Sequence, residues 1–170
     1  MDEREMMAVV ESILFVSGDP VDAKEIGRIL DLDVRMVRKL MKKMSDCYHF
    51  ERRGLQIISV NDTYQLGTRP EYSNYIQKFI GQERSQGLSQ ASLETLAVIA
   101  YRQPVTKADI ESIRGVKCDY ILNTLLNRGL IQEVARMDTP GRPILYGTTD
   151  LFLRSFGLSS INELPPLETE

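Results

Sequence analysis

The chain has 170 residues and a formal net charge of −3, from 21 basic and 24 acidic side chains. This slight acidity argues against a protein that coats nucleic acid over its whole surface. Hydrophobic residues make up 42% of the chain and charged residues 26%, which is typical of a folded globular protein. The two cysteines show no C-x-x-C spacing, so neither a disulfide framework nor a zinc site is indicated, and we expect no metal or other cofactor.

No apolar run reaches the roughly 18–20 residues that a membrane-spanning helix requires. The first seven residues, MDEREMM, lack the basic-then-apolar order of a signal peptide. We therefore expect a cytoplasmic protein without a membrane partner.

One phrase occurs twice in the chain. Residues 20–26 read PVDAKEI and residues 104–110 read PVTKADI, a spacing of 84 residues (104 − 20). Solenoid repeats are shorter, roughly 20–50 residues. The spacing therefore predicts two copies of one small domain.

In the first copy, apolar residues at helical spacing predict a helix over residues 5–17. Asp22, with Glu25 three residues later, is a capping-box pattern that begins a second helix. The remaining pattern predicts a third helix, two strands separated by Asn61-Asp62 and a last helix, over residues 34–44, 55–60, 63–67 and 70–80.

The second copy repeats this order. A helix over residues 93–100 ends at Gln103-Pro104, and Thr106 with Asp109 caps the next helix. We expect Ile110 and Ile113 to form the buried face of that helix. A third helix, two strands and a further helix follow, over residues 120–126, 130–135, 144–148 and 150–156.

Three helices followed by a two-stranded hairpin is the order of a winged helix, a variant of the helix-turn-helix. The fold class is therefore mainly α with small β-hairpins (α+β), as two tandem winged-helix domains. We expect an N-terminal domain over residues 1–82, a polar linker over 83–90, a C-terminal domain over 91–158 and a tail over 159–170.

The sequence offers little for catalysis. His49 is the single histidine, and no nucleophile elbow, Walker loop or H-E-x-x-H motif is present. Cys47 lies two residues from His49, but this spacing rarely aims both side chains at one substrate atom. We expect no enzyme, and a surface histidine near a half-buried thiol.

A row of basic side chains marks the third helix of the first copy. Their spacing places them on one face of the helix. In a DNA-binding winged helix this helix enters the major groove, and the row would contact phosphates. A solvated face or a contact with an acidic protein is an alternative explanation of the row. The row, here named the basic stripe, consists of Arg35, Arg38, Lys39, Lys42 and Lys43.

The second copy is the more apolar one, and its segment LAVIAY (96–101) has no clearly polar side. Such a helix is either central to the core or buried against a second copy or a partner segment.

The segment SLETLAVIAYRQPVTKADIESIRGV (92–116) strongly resembles the segregation and condensation protein B family. The resemblance continues through RGLI (128–131), DTPGRP (138–143) and INELPPL (161–167). The first copy resembles the family more loosely, mainly through ESILFVSGDPV (11–21).

The resemblance implies two winged-helix domains without enzymatic activity. It implies a homodimer joined chiefly through the N-terminal domains, whose C-terminal domains hold the kleisin subunit, segregation and condensation protein A. The kleisin bridges the heads of the SMC ATPase in a condensin-like complex for chromosome condensation and partition. DNA contact by this chain would then be indirect or weak, and the protein would associate with the nucleoid.

Two sets of surface residues follow as hypotheses. Tyr101 and Pro104 would serve the kleisin surface, or would merely set the corner between two helices. The proposed kleisin set is Tyr101, Arg102, Pro104, Gly141, Arg142, Pro143 and Tyr146. The proposed dimer set is Met6, Met7, Val10, Phe15 and Val16. The competing function is a winged-helix transcriptional regulator that binds DNA through the basic stripe.

Overall fold

The structure is a computed structural model that describes residues 1–80 and 87–167. The chain divides into two compact units, Met1–Ser85 and Gln86–Glu170. Residues 83–86 of the predicted linker and residues 168–170 of the predicted tail lie outside the described residues. Each unit is mostly helical with one small antiparallel sheet, in agreement with the predicted fold class.

The first unit has the element order expected of a winged helix, with one further short strand. Its elements are α1 (Glu3–Ser17), β1 (Val21–Asp22), α2 (Ala23–Leu30), α3 (Val34–Phe50), β2 (Leu55–Val60), β3 (Thr63–Thr68), a 3-10 turn (Pro70–Tyr72) and α4 (Ser73–Ile80). The strands form an antiparallel sheet in the order β1-β3-β2.

The second unit repeats this order. Its elements are α5 (Gln90–Arg102), β4 (Val105–Thr106), α6 (Lys107–Arg114), α7 (Asp119–Asn127), β5 (Ile131–Arg136), β6 (Ile144–Thr148), α8 (Asp150–Phe156) and a 3-10 turn (Ile161–Glu163). Its sheet has the order β4-β6-β5.

The repeated phrase encodes the same local structure in both units: a two-residue strand, a helix cap and the start of a helix. In the second unit the Thr106 hydroxyl accepts from the N–H of Asp109, and the Asp109 carboxylate accepts from the N–H of Thr106, which confirms the predicted capping box. In the first unit the Asp22 carboxylate accepts from the N–H of Lys24 at 2.7 Å. This is a simple N-cap rather than the predicted box with Glu25.

The core of the first unit lies between α1, α2, α3 and the sheet. Its fully buried side chains each contribute roughly 1.5–3 kcal/mol relative to an exposed position. They are Val10, Leu14, Ile26, Val37, Met41 and Met44.

One predicted core residue of the second unit lies at the surface. Ile110 is fully buried, but Ile113 is 54% exposed. Three residues advance a helix by about 300°, so Ile113 points about 60° away from Ile110. On the short helix α6 the core covers Ile110 and leaves Ile113 in contact with solvent.

Among the described residues, no helix is both long enough and apolar enough to cross a bilayer.

Candidate interaction surfaces

The basic stripe lies on the exposed face of α3, as predicted, but much of its charge is already paired. Arg38 donates to Asp62 from Nε at 2.7 Å and from Nη2 at 2.5 Å. These hydrogen bonds are the main reason that the pKa of Asp62 lies below its ordinary value.

Two further cations of the stripe also face acids. Lys43 pairs with Glu3, and Lys42 Nζ lies 3.8 Å from the carboxylate of Asp46. Arg35 and Lys39 have no acidic partner among the residues that the structure describes. The stripe therefore offers two uncompensated cations rather than five.

The first unit contains a cleft that sequence reasoning did not find. It has a volume of about 460 Å³ and opens between α1, the end of α3, the start of β2 and α4. We name it the α4 cleft, and its main lining residues are Glu11, Tyr48, Arg53, Leu55, Tyr72 and Ile76.

Tyr48 is a buried polar residue in the lining of the α4 cleft. Its side chain is nearly fully buried, and its hydroxyl has no hydrogen-bond partner among the described atoms. Burial, with a smaller contribution from the nearby Glu11 carboxylate, raises the pKa of Tyr48 to about 12. The guanidinium of Arg53 lies 4.7 Å from the centre of the Tyr48 ring, in cation–π geometry. The cleft therefore combines an apolar wall with a buried hydroxyl that lies near Glu11 and Arg53.

Helix α4 borders this cleft with an uncovered aromatic face. None of its residues is buried, and Tyr75 and Phe79 are 72% and 91% exposed. Tyr75 and Phe79 are four residues apart, so they lie on the same side of the helix. An isolated helix of eight residues is marginal in water, so α4 gains stability from any surface that covers these rings.

The predicted dimer set does not form one exposed surface. Val10 is fully buried in the core, so its assignment to a dimer surface is wrong. Helical spacing places it on the inner face of α1 beside Leu14. Met6 and Met7 are partly buried against the same core, whereas Phe15 and Val16 are exposed at the end of α1.

A second groove, of about 330 Å³, lies between α6 and β6 in the second unit. Pro143 and Tyr146 of the predicted kleisin set both line it. We name it the α6 groove, and sequence reasoning missed its other lining residues, which are Lys107, Ala108, Glu111 and Ile144. The pairing of β4 with β6 brings Tyr146 beside α6, and no local pattern signals this contact.

Glu111 gives the α6 groove an ordered anionic wall. Its carboxylate accepts from the backbone N–H of Cys118 at 2.9 Å and from Lys117 Nζ at 3.2 Å. The backbone hydrogen bond is the main cause that lowers the pKa of Glu111. Lys107 on the same wall pairs with Asp119 at the start of α7.

The rest of the predicted kleisin set lies outside the lining of this groove. Arg102 and Pro104 are exposed at the end of α5, and Gly141 and Arg142 are exposed in the loop between β5 and β6. The Tyr101 hydroxyl donates to the carbonyl of Pro165 at 2.7 Å. The predicted set thus divides between the α6 groove and other parts of the unit.

Cys47 and His49 are both exposed on α3, and Cys118 is buried. Within residues 1–80 and 87–167, no group of three or more histidine, cysteine or acidic side chains is placed to hold a metal ion.

The two units share the element order of a winged helix, and both leave apolar surface uncovered. A family model described as Segregation and condensation complex subunit ScpB matches residues 8–167. The chain belongs to this family, which confirms the resemblance found in the sequence.

A named relative agrees with this assignment. Segregation and condensation protein B of Alkaliphilus metalliredigens is 49% identical over 167 residues, which cover 98% of this chain and 88% of the relative. The crystal structure of ScpB from Mycobacterium tuberculosis is 35% identical, covers 93% of this chain and 98% of that chain, and has a TM-score of 0.46. A crystal structure of a dimer of ScpB N-terminal domain complexed with ScpA peptide is 23% identical, covers 45% of this chain and 95% of that chain, and has a TM-score of 0.43.

Proposed function

We propose that this chain is the non-catalytic scaffold of a condensin-like SMC–kleisin complex that condenses and partitions chromosomes during cell division. It forms a homodimer through its first unit and holds the kleisin through its second. The kleisin connects it to the SMC ATPase heads, and DNA contact by this chain is indirect or weak. Family membership supports this role, and it implies a cytoplasmic protein associated with the nucleoid.

The observation that carries the proposal is that each unit presents an uncovered apolar feature, the α4 cleft with its helix and the α6 groove. Neither feature is part of the basic stripe. A protein that acts by binding other chains requires such surfaces, whereas an enzyme requires a set of catalytic side chains.

We assign a second copy of the chain to the α4 cleft and the aromatic face of α4. Tyr75 and Phe79 of α4 are each more than two thirds exposed. An aromatic side chain carries roughly 150–250 Å² of surface, so these two supply a substantial part of the about 800 Å² per partner that a stable interface buries. The unit has both an unfilled cleft and an exposed aromatic helix. In a dimer with two-fold symmetry, helix α4 of each copy can pack into the α4 cleft of the other copy.

We assign a kleisin segment to the α6 groove. The groove is apolar at Pro143, Ile144 and Tyr146, and Lys107 and Glu111 lie on its wall. An amphipathic segment can place an apolar side chain in the groove and its polar side chains against this wall. The paired charges then favour one orientation of the segment.

The dimer surface is tested by sedimentation equilibrium of Phe79→Ser and Val16→Ser. Both changes remove one exposed apolar side chain, but only Phe79 lies on α4. We expect Phe79→Ser to dissociate the dimer at micromolar concentration and Val16→Ser to leave it intact. The reverse result would place the interface at the end of α1, and a monomeric wild type would refute the homodimer.

Kleisin binding is tested by calorimetric titration with the central segment of the cognate kleisin at physiological salt. We expect sub-micromolar binding with fewer than one kleisin per chain. Ala108→Arg fills the α6 groove and should weaken binding at least tenfold. Asn123→Arg adds the same charge on the exposed side of α7 and should have no effect. If the kleisin segment binds both variants equally, the α6 groove is not its binding site. If it does not bind the wild type, the proposed scaffold function is refuted.

The alternative of a transcriptional regulator depends on the basic stripe. Because Arg38, Lys42 and Lys43 already face acids, we expect weak, salt-sensitive DNA binding without sequence preference. Tight binding to one duplex, well above random DNA, would favour the regulator instead.

A further inference from the structure

The last described residues of the chain fold back onto the end of α5. The Tyr101 hydroxyl donates to the carbonyl of Pro165, 64 residues later in the chain, at 2.7 Å. Ile161 and Leu164 of the returning segment are half-buried. We name residues 161–167 the strap.

The strap leaves α8 through a series of ordered contacts. The N–H of Leu158 donates to the carbonyl of Leu153 at 2.9 Å, and the N–H of Ser159 donates to the Glu163 carboxylate at 2.7 Å. The 3-10 turn then directs the chain toward Tyr101. The path of the strap is therefore set before it reaches α5.

The strap has the backbone of a polyproline II segment where it meets Tyr101. Leu164 has φ −58° and ψ 135°, and Pro165 and Pro166 follow it. These angles are close to the polyproline II values of about −75° and +145°. Prolines hold this shape before binding, so docking costs little conformational entropy. Aromatic surfaces recognise such segments in other proteins.

We propose that the end of α5 around Tyr101 is a binding site for a proline-containing extended peptide, and that the chain's own strap occupies it. The Tyr101 hydroxyl donates a hydrogen bond to a backbone carbonyl. A proline has such a carbonyl but no backbone N–H. The ligand class is therefore an extended segment with a free carbonyl at a Pro-Pro step.

The bound strap regulates the access of other segments to the Tyr101 hydroxyl. A partner segment that uses the Tyr101 hydroxyl must first displace the strap, which is tethered and present at an effective concentration of about millimolar. The strap therefore selects partners that also bind elsewhere, for example in the α6 groove. This consequence rests on the proposed kleisin function, whereas the site itself does not.

The first test is hydrogen exchange of the full chain. The amides of Glu163 and Leu164 donate to the carbonyls of Ser160 and Ile161 in the strap turn. Tyr101→Phe removes one hydrogen bond, so these amides should exchange about fivefold faster. Tyr120→Phe is the matched control, because Tyr120 is 83% exposed in the same unit. Unchanged exchange in Tyr101→Phe would overturn the proposal.

The second test supplies the strap as a separate peptide of residues 159–167. The full chain with Pro165→Gly and Pro166→Gly has a more flexible strap that competes less well for its own site. We expect this variant to bind the peptide more tightly than the wild type does, and Tyr101→Phe in the same variant to weaken binding about fivefold. Equal binding of a scrambled peptide would refute the site.

The two proposals fail separately. If the strap peptide binds and the kleisin segment does not, the peptide site stands and the proposed function falls. If the kleisin segment binds the wild type and the double glycine variant equally, the strap does not control access to the kleisin surface.

Discussion

Asp62, in the turn of the β2–β3 hairpin, is held by two hydrogen bonds from Arg38 on α3. These two hydrogen bonds join the hairpin to α3, which corresponds to the helix that contacts DNA in DNA-binding winged helices. They also remove one cation from the basic stripe. The same contact therefore connects two elements of the first unit and neutralises one cation of the basic stripe.

We predict that Asp62→Asn causes a small loss of stability at neutral pH. Because the pKa of Asp62 is lowered in the folded protein, its stabilisation is present above the unfolded value of 3.8 and is lost as the pH falls through the folded value. Asparagine tolerates the positive φ of 62° found at this position. Urea unfolding should show the difference at pH 7 and not in strong acid. Asp46→Asn, which removes a pair that is 3.8 Å apart and exposed, should have no effect at either pH.

Glu111→Gln should destabilise the second unit at neutral pH. The amide is a poorer acceptor than the carboxylate for the N–H of Cys118, and it loses the charge that faces Lys117. The pKa of Glu111 is lowered, so this stabilisation is present above the unfolded value of 4.5 and disappears as the pH falls through the folded value. Denaturant midpoints measured across this range check the prediction.

The control for this change is Glu133→Gln, which affects only an exposed pair with Arg136 at 3.6 Å. A larger effect at Glu133 than at Glu111 would contradict the role of the backbone hydrogen bond.

Gly27→Ala should cost about 1–3 kcal/mol of unfolding free energy, because overpacking forces the backbone to shift. A methyl group at Gly27 would lie 2.5 Å from the carbonyl oxygen of Leu32, which is backbone and cannot rotate away. Helix propensity alone predicts the opposite, a gain of about 1 kcal/mol. Gly54→Ala meets no atom within 4 Å and should be near neutral. A stabilised Gly27→Ala protein would show that the turn between α2 and α3 relaxes freely.

The two thiols should differ sharply in reactivity. Cys47 is exposed on α3, whereas Cys118 is fully buried and its Sγ lies 3.4 Å from the carbonyl oxygen of Val116. An alkylating reagent should modify one thiol of the native protein quickly. Mass spectrometry should locate it at Cys47, and Cys47→Ser should have no fast thiol. Two fast thiols in the wild type would contradict the packing around Cys118.

Local features of the fold were predictable because neighbouring residues determine them. Thr106 and Asp109 form their capping box within one helical turn. Asn61 and Asp62 have positive φ values of 45° and 62°, the backbone of a tight hairpin turn that asparagine and aspartate favour. The β2–β3 hairpin therefore begins and ends within one residue of its predicted bounds.

The strands β1 and β4 were missed because two residues are too few for an alternating pattern. Their structure depends on pairing with β3 and β6, which lie about 40 residues further along the chain. The positions of Val10 and Ile113 were wrong for a related reason. Apolar periodicity predicts which face of a helix points to the core. How far the neighbouring helices and strands extend over that face decides which residues at its edge are buried.

The sequence by itself determined the tandem repeat, the order of the helices and the hairpin strands, and the family, because capping, turn chemistry and helical spacing act over a few residues. Tertiary structure alone decided which clefts and side chains stay open to other chains. The α4 cleft, the α6 groove and the strap on Tyr101 each bring together residues distant in the chain. Burial and hydrogen bonding of these residues depend on neighbours that only the folded chain brings together. No single segment of the sequence specifies them.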